Sequence, residues 1–173
     1  CLRSAKEDFE FAKDGYKQGI YTKRWGPNVD SQVCGHGIIA AIELYKCTLD
    51  SYYIDVAATY AKIVLACQQS DTPDWDIPLR GFFYEDPNHK WMLTYEHRGH
   101  EQSPVQGLAM LCEVASNHPD YEAWINGLKL YREYVLDSMK LTKPYGLVPG
   151  HVYVLDKLNS DRFTIPASYG TIT

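Results

Sequence analysis

Residues 95 to 102 set Tyr95, Glu96, His97, Arg98, Gly99, His100, Glu101 and Gln102 in one unbroken run. Two carboxylates, two imidazoles and a guanidinium are concentrated there, just ahead of a stretch with the pattern of a helix start. A helix N-terminus carries partial positive charge that stabilises anions. Arginine adds charge-assisted hydrogen bonds to oxygen-rich ligands, and a carboxyl group can work as general acid or base. On this reading Tyr95, His97, Arg98, His100 and Gln102 bind sugar hydroxyls or a uronate carboxylate, and Glu101 or Glu96 acts as acid or base, Glu101 being the catalytic candidate. The plainer alternative is that Glu101 only steadies the first helical turn while Arg98 pairs with Glu96.

Two further segments offer compatible chemistry. Residues 21 to 30 carry Tyr21, Lys23, Arg24, Trp25 and Asp30 around Gly26-Pro27. Trp25 would stack on a sugar ring, and Asp30 is either a second catalytic carboxylate or the N-cap of the following helix. Residues 144 to 153, stiffened by Pro144 and Pro149, contribute Tyr145, His151 and Tyr153 as sugar contacts or as loop packing. Trp91 belongs to the same set of rings. Tyr, Trp and Phe number 14, 4 and 5, or 13% of the chain, and many lie in the loops. Sugar C–H faces stack on rings while sugar hydroxyls demand hydrogen bonds, so aromatic polar loops suit a glycan. Tyr60, Tyr121 and Tyr131 fall on helical faces and read as packing.

Periodicity supplies the elements that must hold these loops. Residues 2–18 place Leu2, Ala5, Phe9, Ala12 and Tyr16 on one face with charges elsewhere, and 51–69 and 121–140 repeat the amphipathic pattern. Between them lie GHGIIAAIELY (35–45) and VQGLAMLCEVA (105–115), apolar nearly all round and therefore covered on most sides. The amphipathic segments read as outer helices and the apolar ones as inner helices. Ser103-Pro104-Val105-Gln106 reads as an N-cap serine, a first-turn proline and a capping-box glutamine.

The two inner–outer pairs superpose at an offset of 70 residues, matching Gln32 with Gln102, Gly37 with Gly107, Glu43 with Glu113 and Asp50 with Asp120. The aspartates are expected to cap the outer helices, and the glycines to let inner helices approach closely. Inner helices pass to outer ones through short turns, but outer helices return through long segments at 19–31, 70–102 and 141–168. All three long segments therefore fall at the end where inner helices begin, and long loops gathered on a rigid scaffold are where function sits. Within the second, GFFYED and KWMLTY flank Pro87-Asn88 and predict a small β-hairpin near residues 81–95.

Composition narrows the function classes. With 17 basic and 22 acidic residues the net charge is −5, which leaves no basic field for nucleic acid or an anionic membrane. No apolar run approaches the length of a membrane span. Cys1, Cys34, Cys47, Cys67 and Cys112 are odd in number and scattered, and the last four sit in apolar helical runs where cysteine acts as a small buried hydrophobe.

Alternating inner and outer helices with aromatic loops resemble the six-hairpin glycosidases, whose helix pairs close into a double-walled α/α toroid. The stretch GFFYEDPNHKWMLTYEHRGHEQSPVQGLAMLCEVASNHPDYEAWINGLKLYREYVLDSM, with KPYGLVPGHVY after it, is most similar to divergent bacterial members of glycoside hydrolase family 9. The likeness spans about residues 20–155. It implies an all-α toroid fragment of about two and a half helix pairs, the middle of a larger catalytic domain. It also implies carboxylate acid–base hydrolysis of a polysaccharide or oligosaccharide, no cofactor, and a secreted or periplasmic setting. The chain departs from the family in lacking its DAGD-type base motif and its late catalytic glutamate, and His97-Arg98 only echoes its substrate-binding His-Arg pair. Missing staves would leave apolar inner faces bare, to be covered by the remainder of the barrel or by another copy. A sugar epimerase or polysaccharide lyase on the same toroid, and a non-catalytic helical-repeat binding module, are the competing functions. Cys34-Gly35-His36 is similar to the zinc ligands of lanthionine cyclases, but residues two apart on a helix do not share a face, so no metal is expected.

Overall fold

The computed structural model describes all residues except 26–29, 76, 91, 94–101, 150, 151, 155–169 and 173. The fold is all-α. Helices α1 (Leu2–Lys17), α2 (Ile20–Trp25), α3 (Asp30–Thr48), α4 (Tyr52–Ala66), α5 (Ser103–Val114) and α6 (Tyr121–Ser138) follow in order, and a 3-10 turn at Met139–Thr142 extends α6. Strands β1 (Val152–Val154) and β2 (Gly170–Ile172) form a short parallel pair. Among the described residues, no helix is long and apolar enough to cross a membrane.

The inner helices α3 and α5 pack directly on one another because glycine lets their backbones meet. A Cβ on Gly35 would lie 2.6 Å from the Pro104 nitrogen, and one on Gly107 would lie 2.9 Å from the Gly35 carbonyl oxygen. These contacts ascend both helices together, so α3 and α5 run parallel. Gly107 thus plays its expected part, but Gly37 serves another contact: its Cβ would strike the Tyr60 ring of α4 at 2.7 Å.

Around this seam Ile38, Ala41, Ile42, Ala57, Ala61, Val64, Leu108 and Leu111 are all fully buried. Removing such side chains from water stabilises the fold by about 1.5–3 kcal/mol for each large one. Trp124 of α6 closes the layer at 0% exposure, with its indole stacked 4.7 Å from the His118 ring.

Both short inner–outer turns are pinned by side chains. Asp120 stands at the expected N-cap of α6, but its carboxylate reaches Lys62 of α4 at 3.3 Å and makes no side-chain cap bond. Asp50 is not the expected N-cap of α4: it lies one residue ahead of the N-cap Ser51, where its carboxylate accepts the Tyr52 backbone N–H at 3.0 Å. Ser103 is not the expected N-cap either. It is the first residue of α5, 3% exposed, and its hydroxyl donates to the Gln32 carbonyl at 3.3 Å, so the inner-helix seam takes the group that would have capped. Cys34, Cys67 and Cys112 are buried as expected, whereas Cys47 is exposed near the C-terminal end of α3.

The long segment after α4 folds back as a three-part backbone ladder. Gln68 bridges Phe83 and Tyr84 bridges Met92, both antiparallel, with Leu93 N–H donating to Phe83 O at 2.9 Å. The turn falls at Pro87-Asn88, where Asp86 accepts the Asn88 N–H at 2.7 Å. These are isolated bridges: among the described residues of 81–93 the pairing extends into no strand, so the expected hairpin is represented by bridges alone.

Candidate functional site

Helices α3 and α5 both begin at the end of the array that carries the long segments, and three contacts draw those segments together. The Ser31 N–H at the start of α3 donates to the Glu85 carbonyl of the second segment at 3.0 Å. The Ser103 hydroxyl ties the start of α5 to Gln32, so the two inner helices open side by side. Val152 of the third segment, 4% exposed, packs into one cluster with Leu79, Phe82, Tyr84 and Met92 of the second and Tyr134 of α6.

Asp30 opens α3 and is half-buried. Its Oδ1 accepts the Tyr16 hydroxyl proton at 2.7 Å, which ties the carboxylate to the C-terminal part of α1. An acidic group in the first helical turn also suits the partial positive charge there. Burial first, then hydrogen bonding to Cys34 and Asp30, pushes the Tyr16 phenol well above its ordinary value, so it stays a donor to the carboxylate. Burial likewise pushes the Cys34 thiol up to about 12, the Tyr16 hydrogen bond opposing this and the Asp30 charge adding to it. A buried thiol of that kind is neither a ready nucleophile nor a ready metal ligand. Cys34 is buried while His36 is exposed, so the two face different surroundings. Among the described residues, no group of three His, Cys, Asp or Glu side chains could hold a metal ion.

Glu85 was not singled out from sequence, yet its backbone docks on α3 one residue past Asp30 and its Oε2 is buried. Asp86, 4% exposed, shapes the turn that follows. The missed signal was the position of GFFYED opposite a helix start, which no local pattern reveals.

The remaining sequence-derived candidates divide plainly. Trp91, Tyr95, His97, Arg98, His100, Glu101 and His151 lie outside the described residues. Trp25 closes α2 and Tyr153 stands in β1, and for both only the backbone element is described. Gln102 is exposed and flanks α5 as its N-cap residue, placed beside the start of α3. Tyr145 is 80% exposed beyond the end of α6, its N–H bonded to Thr142 O at 3.0 Å. The structure therefore brings Asp30 and Gln102 to neighbouring helix starts and leaves Tyr145 on an exposed turn.

Several loop rings that composition offers as sugar platforms are instead core. Phe82, Phe83 and Tyr84 are 2%, 3% and 2% exposed. Phe82 meets Tyr84 edge-on at 5.1 Å and Tyr134 at 5.9 Å, and Trp75 stacks on it at 6.1 Å. This aromatic floor fixes the second segment to α6, where the Arg80 guanidinium also pairs with Glu133 at 2.8 Å. Compared with protein-family models, curated proteins and solved structures, the chain matches none.

Proposed function

We propose that the chain is the substrate-binding part of an α/α-toroid glycoside hydrolase acting on a polysaccharide or oligosaccharide by carboxylate acid–base chemistry. The observation that carries this reading is the assembly of the second and third long segments with the starts of α3 and α5 at one end of the array. Asp30, held by Tyr16, and Glu85 stand at that end as carboxylates of the kind that glycosidic cleavage uses. The run from Tyr95 to Gln102 lies directly before α5 in sequence and supplies the hydrogen-bonding groups. The repeated inner–outer helix pairs and the bridges around Pro87-Asn88 agree with a toroid fragment carrying a small hairpin.

Titration calorimetry against neutral and uronate-containing oligosaccharides tests the reading. Binding to a member of that panel is expected, and Arg98→Ala should weaken it by about 1–3 kcal/mol if the guanidinium makes a charge-assisted hydrogen bond. No binding across the panel would overturn the glycan reading, and a folded Arg98→Ala protein that binds like the parent would remove Arg98 from the site. In a complex with bound oligosaccharide, two carboxylates about 6.5–9.5 Å apart across the scissile bond would favour an inverting hydrolase over an epimerase, a lyase or a binding module.

A further inference from the structure

A cavity of about 850 Å³ runs between α1 and α3 on the side of α3 away from α5. Its α1 wall is the stripe Leu2, Ala5, Phe9 and Ala12, and its α3 wall is the stripe Val33, Gly37, Ala40 and Leu44. Both stripes have the three- and four-residue spacing of a single helical face. Ala5 and Ala40 are exposed, so apolar surface stands open there.

The internal repeat says what covers such a face. Moving the α3 stripe on by 70 residues gives Ser103, Gly107, Met110 and Val114 of α5. There Ser103 and Gly107 meet the backbone of α3, and Met110 and Val114 pack against the helix-array core. On α5 this face is thus filled by α3 at Ser103 and Gly107, whereas on α3 Gly37 meets the Tyr60 ring of α4 and Ala40 stands open. Glu43 lines the cavity and is paired with Lys46 of its own helix at 3.0 Å.

We propose that this groove is the seat of one further apolar α-helix with the chemistry of α3, lying parallel to α3 along Val33, Ala40 and Leu44. The proposal rests on the repeat and the groove alone, and stands or falls apart from the glycan reading.

Grafting tests it in the full chain. A second copy of residues 30–51, helix α3 with its turn into α4, is placed directly ahead of Cys1, reproducing the order inner helix, short turn, outer helix. The graft is expected to add helical far-UV signal, raise the thermal midpoint and cut the fluorescence of an apolar dye several-fold. Placing Ala40→Arg in the host should abolish the gain in midpoint. A helical graft that leaves dye binding and midpoint unchanged would overturn the proposal. Should the graft fail to fold, the ungrafted chain still decides. Ala40→Arg must lower its dye binding, and unchanged dye binding would show that the groove is not the open apolar face. Sedimentation is the other arm: a dimer of the parent that Ala40→Arg dissolves would make a second copy the occupant and overturn the single-helix assignment.

Discussion

The core of the helix array and the core beneath the long segments are built from different side chains. The array is closed by Ala, Ile, Leu and glycine at helical spacing, with backbones touching at Gly35 and Gly107. The second core is a cluster of rings, Phe82, Tyr84, Tyr134 and Trp75, around Leu79, Met92 and Val152 drawn from separate segments. Small residues let regular elements approach, and the seam they make can repeat along the chain. Rings fill the irregular space between segments that have no common period. The two cores meet at Tyr131, which packs against both, and at Gln68, whose amide donates to Gly81 O at 2.8 Å and Gly127 O at 2.9 Å. The loop-bearing end is therefore a packed extension of the scaffold.

The sharpest way to break that extension is Gly81→Val. Gly81 has φ +97, and a side chain there would run into the Leu130 carbonyl of α6. A loss of about 4 kcal/mol or more in denaturant unfolding is expected, because the backbone conformation and the close approach both exclude a side chain. A loss under about 1 kcal/mol would show that the second segment does not need α6.

Phe82→Ala comes next. Emptying a 2% exposed ring site should cost about 3–5 kcal/mol. If the two cores are one cooperative unit, a single transition shifts equally by far-UV circular dichroism and by tryptophan fluorescence. Separate transitions by the two probes would show the cores unfolding apart.

Gln68→Ala tests the joint itself. It removes the buried amide's hydrogen bonds to Gly81 O and Gly127 O, and should cost about 1–3 kcal/mol in the same unfolding measurement. The smallest effect has the opposite sign. Leu49, 77% exposed, ends α3 with φ 57, a region that disfavours side chains. Leu49→Gly should stabilise by about 0.5 kcal/mol, the relief of strain being partly offset by the added freedom of the unfolded chain.

The array was legible in the sequence because helical periodicity is local. Both inner and all three outer helices lie where the apolar spacing put them, with α3 starting at Asp30, five residues ahead of the recognised stretch, but residues 20–25 of the expected first loop form the short helix α2. The start of α5 was misread for a tertiary reason: Gly35 brings the α3 backbone so close that Ser103 is drawn into the seam. Cys47 was misread as buried because an apolar helix open to the α1 groove is not covered on every side. The aromatic core was illegible because Phe82, Tyr134 and Val152 are joined only by the fold, and a ring in a loop looks alike in sequence whether it faces sugar or protein. Asp30 was legible as a carboxylate at a helix start, but its partner Tyr16 and its neighbour Glu85 were not, since each arrives from a different segment.

The central claim is that three segments far apart in sequence form one glycan-binding face. Hydrogen exchange read by mass spectrometry, with and without a saturating oligosaccharide, tests it most directly. The account predicts that ligand slows exchange together in peptides covering 21–31, 81–103 and 144–153, while the outer faces of α4 and α6 are unchanged. Protection confined to one of those peptides, or appearing instead along α1 and the open face of α3, would contradict it.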